Sequence, residues 1–273
     1  MLVRTIPTPL TRESPLILTA SPLTRDAFAA FGDVIANPRP ECRPSNTSPE
    51  AISRGLLPCG AVSVNQGTAI QYRGITTTST PRDLYASAPS GKKATARTTM
   101  FVSGARMLVS SPKKGGVEGK KEVGGSVEVQ VLERHPFTSQ TFIPLTADKS
   151  KRYLVIVAPT LDTITAEDEK LPMPTPTSPP TKDGTRLPGP GLPDLTRLKT
   201  FVVTGEQAVT YAPGTWHAPM IALGPPGSSI DFVVVQFAND VPVEDCQEVA
   251  LDNAKGAAGI FVRIPESRVI SKL

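Results

Sequence analysis

The sequence predicts an all-β fold. Three observations carry that expectation. The 273 residues include 29 Pro and 21 Gly, enough turn-formers to interrupt long helices almost everywhere. Apolar residues gather in short β-branched runs at 127–132, 153–158 and 231–237. Polar stretches rich in Pro, Gly and Thr separate those runs, as turns separate short strands. A chain of this length can bury a sizeable core.

Taken in order, residues 1–20 read as a Pro- and Thr-rich arm with little reason to order. Arg4 and Arg12 hint at a transit peptide, but Glu13 and the prolines weaken any amphipathic helix. Residues 21–32 read as a short helix, capped by Ser21 or Thr24 and ended by Gly32. Asp33-Val34-Ile35 starts a strand. Residues 37–58 are loop, because Pro38, Pro40, Pro44, Pro49 and Pro58 forbid a regular ladder. A brief alternation at 62–69 ends in a polar turn. A strand spans 99–107 and is broken by Gly104. Residues 112–126 are a flexible Lys/Gly/Glu-rich insertion. Residues 127–132 alternate most clearly, so Val127, Val129 and Val131 share a face that continues to Glu133 and His135. Pro136 then breaks the phase. Residues 153–158 form a buried-type strand, and Pro-rich 170–196 a disordered insertion. Strands at 199–204 and 207–211 bracket a hairpin-like Gly205-Glu206 turn. Residues 231–237 read as a central strand buried on both faces. Val243 to Glu248 reads as an acidic surface turn, and 259–264 as a last strand. Residues 21–265 are expected to form one domain, with 266–273 as a tail.

Composition removes several function classes. The formal net charge of +4 comes largely from Lys clusters in polar loops. No aromatics interleave with them, which argues against nucleic acid as a partner. Cys42, Cys59 and Cys246 share no CxxC spacing, so neither a disulfide framework nor a zinc ribbon is expected. No run is apolar enough to span a bilayer, so no membrane partner is expected. Ser271-Lys272-Leu273 reads as a peroxisomal address, with the import receptor as partner; a cytoplasmic location is the alternative. No GxGxxG, P-loop or GxSxG occurs.

The chain has two histidines, and each lies in a distinctive stretch. One is Glu133-Arg134-His135-Pro136-Phe137-Thr138-Ser139-Gln140-Thr141-Phe142-Ile143-Pro144-Leu145. The other is Thr210-Tyr211-Ala212-Pro213-Gly214-Thr215-Trp216-His217-Ala218-Pro219. Glu133-x-His135-x₄-Gln140 followed by Pro213-Gly214-x₂-His217 resembles the two-motif pattern of cupin β-barrels. There, His-x-His, a later Glu and a third His converge on a metal. Glu133 stands here for the first His, and Gln140 for the usual Glu. No cofactor is expected to be required; a divalent metal, if held, would fall to Glu133, His135, Gln140 and His217.

With its flanks, the pattern resembles the ureidoglycolate lyase family of allantoin breakdown, and its fungal members most. Leu132 to Pro136, Ser139 to Leu145, Val209 to His217 and Asp231 to Val235 carry the likeness. So do Leu23-Thr24, Ala27-Phe28, Phe31 to Ile35 and Asn65 to Ala69, with all blocks in the family's order. The resemblance implies a cupin-like double-stranded β-helix barrel with a few short helices and long loop insertions. It also implies a homodimer, and cleavage of (S)-ureidoglycolate to glyoxylate and urea. Breaking that C–N bond needs a base for the hydroxyl proton and an acid for the departing urea. His135 and His217 are candidates for both, in either order, with Glu133 setting the charge or tautomer of one. Gln140 and Tyr211 would hydrogen-bond the ureido group, and by family likeness Asn65 and Gln66 complete the pocket. Arg73 is the candidate for the substrate carboxylate; Arg134 is weaker, because strand parity points it away from His135. Trp216 is expected to pack, and Pro213-Gly214 to turn the chain. The rival functions are a ureidoglycolate amidohydrolase releasing ammonia, and a non-catalytic cupin-like binding protein.

Overall fold

A computed structural model describes residues 1–7, 15–76, 82–110, 125–174, 187–252 and 259–265. Strands β1 (Leu2–Pro7), β2 (Leu16–Thr19) and β3 (Ser21–Pro22) come first. Helix α1 (Arg25–Phe28) is capped by Thr24, whose hydroxyl accepts from the Ala27 amide at 3.3 Å. Next come β4 (Gly32–Ile35), α2 (Pro49–Ser53), β5 (Val62–Val64), β6 (Ala69–Gln71), β7 (Thr95–Gly104) and β8 (Val109–Ser110). The middle of the chain supplies β9 (Gly125–Glu128), β10 (Val131–Arg134), β11 (Gln140–Pro144) and β12 (Arg152–Ala158). Then follow β13 (Lys199–Thr204), β14 (Ala208–Tyr211), β15 (Trp216–His217), β16 (Ile221–Leu223) and β17 (Ser229–Ala238). Helix α3 (Pro242–Asp245), β18 (Gln247–Asp252) and β19 (Ile260–Arg263) complete the described elements.

The all-β, cupin-like expectation holds. The largest sheet runs β1-β18-β10-β15-β12-β13-β3, with β16 also on β12. A second runs β4-β14-β11-β17-β7, a third β2-β19-β9-β8, and β5 pairs with β6. The largest sheet is the middle layer. Tyr153, Val155 and Val157 of β12 share a core with Phe142, Phe232 and Val234 of the second sheet. Leu154, Ile156 and Ala158, on the other face of β12, share a core with Val127, Ile260 and Val262 of the third. That is why 153–158 is apolar without alternation: each residue faces one of two cores, and burying each large side chain contributes about 1.5–3 kcal/mol. Close approach also fixes Gly32, where φ is +149° and an added Cβ would lie 1.8 Å from the Thr210 carbonyl oxygen.

Several expectations are corrected. Within the expected arm, β1 pairs in parallel with β18 and β2 with β19, so those segments are ordered by sheet edges. The helix of 21–32 shrinks to α1: Ser21-Pro22 pairs with β13, and Gly32 opens a strand instead of ending a helix. The 37–58 loop contains α2, whose Ser48 cap accepts from the Ala51 amide and whose Pro49 suits the first turn. The 127–132 run is two strands, β9 and β10, with a break at Val129-Gln130. After it Leu132 and Arg134, instead of Val131, are buried on the core side. Gly205-Glu206 is no hairpin: β13 pairs with β12 and β3, while β14 pairs with β11 and β4, so the chain changes sheets there. Strand β17 is central but buried on one face, through Phe232 and Val234. The 243–248 stretch is α3 and the start of β18, with Glu244 3% exposed and Gln247 fully buried. Of 170–196, residues 170–174 and 187–196 are described, with Pro174 buried and Leu195 in the core. The rest of that insertion (175–186), most of the 112–126 insertion and Ser271-Lys272-Leu273 lie outside the described residues.

Candidate active site

Two strands of the middle sheet bring the first three residues together. Glu133 on β10 lies directly opposite His217 on β15, which lies opposite Val157 on β12. Residues paired in this way share a face, and Val157 belongs to the core facing the second sheet. Glu133 and His217 therefore point into the space between the two larger sheets. The Pro213-Gly214 turn sets up β15: Gly214 has φ +76°, and its amide donates to the His135 carbonyl at 2.8 Å. His135 follows β10 and closes on the same spot, its ring centroid 5.5 Å from that of His217.

Both imidazoles are held in one tautomer. His135 Nδ1 lies 2.6 Å from the Asp245 carbonyl, and His217 Nδ1 2.9 Å from the Thr215 carbonyl. A carbonyl only accepts, so both Nδ1 atoms carry hydrogen. Each Nε2 is buried on the side of the site; that of His135 has no hydrogen-bond partner, and that of His217 meets only the Glu133 carboxylate, at the long end of hydrogen-bond range. His217 Nε2 is 3.5 Å from Glu133 Oε1. Burial pushes the Glu133 carboxyl up, but the hydrogen bond and charge of His217, with His135 behind it, outweigh this and hold it below its usual value. His135 is pushed down, by burial first and by His217 second. The Glu133 side chain is 21% exposed against 2% for His217, so solvent reaches the group past the carboxylate.

The second sheet forms the facing wall. Tyr211 stacks on His217 with centroids 4.0 Å apart and planes 13° apart. Its hydroxyl is buried without a partner, and burial followed by the nearby Glu133 charge pushes its pKa up. Gln140 lies opposite Tyr211, donates from Nε2 to Gln236 Oε1 at 2.7 Å, and keeps Oε1 buried and unpartnered. Gln236, Cys246 and the Asp245 carbonyl are site components the sequence reading passed over. Gln236 continues the inward alternation of Phe232 and Val234, a signal lost when that strand was read as buried on both faces. Cys246 Sγ is 4.0 Å from Glu133 Oε2, and burial, then the Glu133 charge, pushes the thiol up to about 11.

Other candidates lie elsewhere. Arg134 points away, as strand parity required, and is fully buried. It donates to Gln247 Oε1 and to the Gly189, Pro190 and Gly191 carbonyls, and its guanidinium sits 4.4 Å over the Trp216 ring. Burial lowers it to about 9, still charged at neutral pH. It is a structural clamp that no substrate carboxylate can reach. Asn65 and Gln66 are exposed at the β5–β6 turn, and Arg73 is exposed with Nε on Gln71. Among the described residues the structure shows no contact between these three and the imidazole pair.

Glu133, His135 and His217 can hold a metal ion. One ligand atom from each lies within 4.8 Å of the others. Two imidazoles whose Nδ1 atoms are fixed by carbonyls behind them, beside one carboxylate, are a chemically suitable set for a divalent transition metal.

The ureidoglycolate lyase family model matches residues 15–257. The chain belongs to the ureidoglycolate lyase family. It is 28% identical over 242 residues to a Saccharomyces cerevisiae protein named ureidoglycolate lyase, covering 85% of this chain and 92% of that one. A Burkholderia mallei protein of the same name is 29% identical over 223 residues, covering 82% and 84%. A Schizosaccharomyces pombe protein, also so named, is 32% identical over 138 residues; that match spans 50% of this chain and 55% of the relative. The family match includes Glu133, His135, Gln140, Tyr211, His217 and Gln236.

Proposed function

We propose that this chain is a carbon–nitrogen lyase that cleaves (S)-ureidoglycolate into glyoxylate and urea. One observation carries the reading: two imidazoles with ring centroids 5.5 Å apart have buried Nε2 atoms, one free of hydrogen bonds and the other beside the Glu133 carboxylate. The comparisons support the substrate, since the relatives are named for it. Their name also favours elimination over hydrolysis.

The environments of the two rings divide the work. His135 is pushed toward its neutral form and has Glu133 less directly beside it, so its Nε2 is the base that takes the hydroxyl proton. His217 Nε2 lies 3.5 Å from Glu133 Oε1, a carboxylate that can return a proton to it, so it takes the part of the acid. As the carbinol C–O becomes C=O, the C–N bond breaks and its electron pair goes to nitrogen. His217 protonates that nitrogen, and urea leaves. The proton on His135 then returns to His217. Gln140 Oε1 and the Tyr211 hydroxyl, both buried and unpartnered, suit the ureido NH groups and carbonyl.

The same triad would hold a divalent cation, which when bound would polarise a substrate oxygen as a Lewis acid. The test is to incubate purified protein with ureidoglycolate, with and without chelator, and measure urea, glyoxylate and ammonia. Urea and glyoxylate in equal amounts are expected. Ammonia in place of urea would make the chain an amidohydrolase, and saturable binding without products would make it a binding protein. Activity lost to chelator and restored by one metal would assign the triad to that metal. We also propose a homodimer, read by light scattering as twice the 28.9 kDa of one chain. Ser271-Lys272-Leu273 is proposed as an import address: a fusion ending in it should enter peroxisomes, and one lacking Leu273 should not.

A further inference from the structure

His217 is placed by strand register opposite Glu133, but His135 lies one residue past the end of β10. What places its ring is a chain of hydrogen bonds through α3. Nδ1 donates to the carbonyl of Asp245, the last residue of that helix, at 2.6 Å. A helix of four residues has too few internal bonds to hold itself. Its side chains hold it instead. Asp245 Oδ1 accepts from the Tyr85 hydroxyl at 2.7 Å and from the Asn239 amide at 2.9 Å. Glu244, one residue earlier, accepts from Ser90 and from the Asn239 side chain.

Tyr85 belongs to a brace, residues 82–90, that fastens two segments meeting at His135. One is the chain that leaves the histidine. The Leu84 amide donates to the Phe137 carbonyl at 2.7 Å, and the Ser139 amide to the Arg82 carbonyl at 3.2 Å. The Arg82 amide donates back to the Ser139 hydroxyl at 2.9 Å. The other segment is α3, held through Tyr85 and Ser90. The Tyr85 ring is buried against Phe137, with centroids 5.5 Å apart, and its hydroxyl also lies 3.3 Å from the Phe237 carbonyl at the end of β17. The brace reaches the imidazole at Nδ1 and leaves its Nε2 without a partner.

We infer that Tyr85 and Asp245 are positioning residues for His135: the hydroxyl fixes the carboxylate, the carboxylate fixes the end of α3, and the carbonyl there keeps the ring's proton on Nδ1. A neutral imidazole carries one proton and accepts a second only at its bare nitrogen. A ring with its proton on Nε2 offers no lone pair to the substrate hydroxyl and cannot be the base. One buried hydrogen bond at Nδ1 shifts that choice roughly tenfold. The effect on turnover rests on the lyase reading; the effect on the ring does not.

The experiment reads the ring nitrogens directly. The chain has two histidines, so ¹⁵N-histidine labelling gives two imidazole spectra, assigned with His135→Ala and His217→Ala. In wild type at pH 7.5, His135 should show a protonated Nδ1 and a bare Nε2. Tyr85→Phe keeps the ring on Phe137 and removes the hydroxyl; His135 should then populate both tautomers. His217, whose Nδ1 is held by the Thr215 carbonyl, should stay unchanged as the internal control. Asp245→Ala should act like Tyr85→Phe. Asp245→Asn keeps an acceptor for Tyr85 and for the Asn239 amide, and should keep the wild-type tautomer. On ureidoglycolate, Tyr85→Phe should lower kcat about tenfold and leave KM within about twofold. A His135 that keeps its Nδ1 proton in Tyr85→Phe overturns the inference whatever the activity, and so does wild-type His135 with its proton on Nε2. Equal disturbance of His217 also overturns it, because the hydroxyl would then support the fold at large. Where Asp245→Ala does not fold, Tyr85→Phe alone decides. A chain that releases no urea fails the lyase reading, and the ring nitrogens still decide this one.

Discussion

At the scale of single residues, the site depends on which nitrogen of each ring faces the Glu133 side of the pair. Both Nδ1 atoms are committed to backbone carbonyls, so replacing either ring removes an Nε2 that no neighbour can supply. His135→Ala and His217→Ala should each lower kcat by about 10²- to 10⁴-fold, the usual worth of a general acid or base, with circular dichroism unchanged. Near-normal turnover in either variant would end the two-imidazole mechanism. Glu133→Gln keeps the shape but withdraws the charge beside His217; its kcat should fall while KM changes little, because the carboxylate acts on the ring and not on the bound acid. Arg134→Met should instead cost stability, roughly 3 kcal/mol or more, since Gln247 and three carbonyls lose their buried donor. A denaturant midpoint equal to wild type would contradict that role. The two roles could be read from the sequence because Glu133, Arg134 and His135 are consecutive on a strand. Parity alone separates the middle residue from its neighbours, even though the strand proved shorter than its alternation suggested.

At the scale of elements, α3 shows what the sequence conceals. A Glu-Asp pair in a short stretch reads as solvated surface, yet Glu244 accepts from the Ser90 amide and hydroxyl and from Asn239 Nδ2, at 2.7–2.8 Å. Asp245 accepts from the Tyr85 hydroxyl at 2.7 Å and turns its carbonyl to His135. Apart from Asn239, these partners lie more than 100 residues away, which no local pattern reveals. Burial opposes the charge on Glu244, but its hydrogen bonds to Asn239 and Ser90 outweigh this and hold its pKa below the usual carboxylate value. A depressed folded pKa adds stability that is complete above the unfolded value, near 4.3, and is lost as pH falls through the folded one. Glu244→Gln should therefore be less stable than wild type at pH 7, and the gap should narrow below about pH 4. Urea midpoints at pH 7, 5 and 3.5 measure this, and a gap that stays constant would show that the charge is not what α3 uses. The strands themselves were easier to read. Runs at 153–158, 199–204 and 231–237 were placed within a few residues, because β-branched segments between turns have few alternatives. Which sheet each strand joins was not legible: Gly205-Glu206 suits a hairpin equally well as a crossing between sheets.

At the scale of the whole molecule, the middle sheet is the one structure that both cores share. Its strand β12 gives alternate residues to each side, and β15 does the same, with Trp216 in one core and His217 facing the other. A layer cannot detach without exposing one full face of β12, so the cores should be lost together. The sequence supplies separate reporters. Trp216, the only tryptophan, is fully buried on the third-sheet side, while Tyr153 and Tyr211 are buried on the second-sheet side. In a urea titration, tryptophan emission and tyrosine near-ultraviolet dichroism should give one midpoint and one slope. Tryptophan emission changing at lower urea than the tyrosine signal would mean that the third sheet is an appendage. The site, built wholly on the other face, would then survive its loss, and activity would follow the tyrosine curve. With one shared transition, activity follows both, because His217 is held by the same two-residue strand that anchors Trp216.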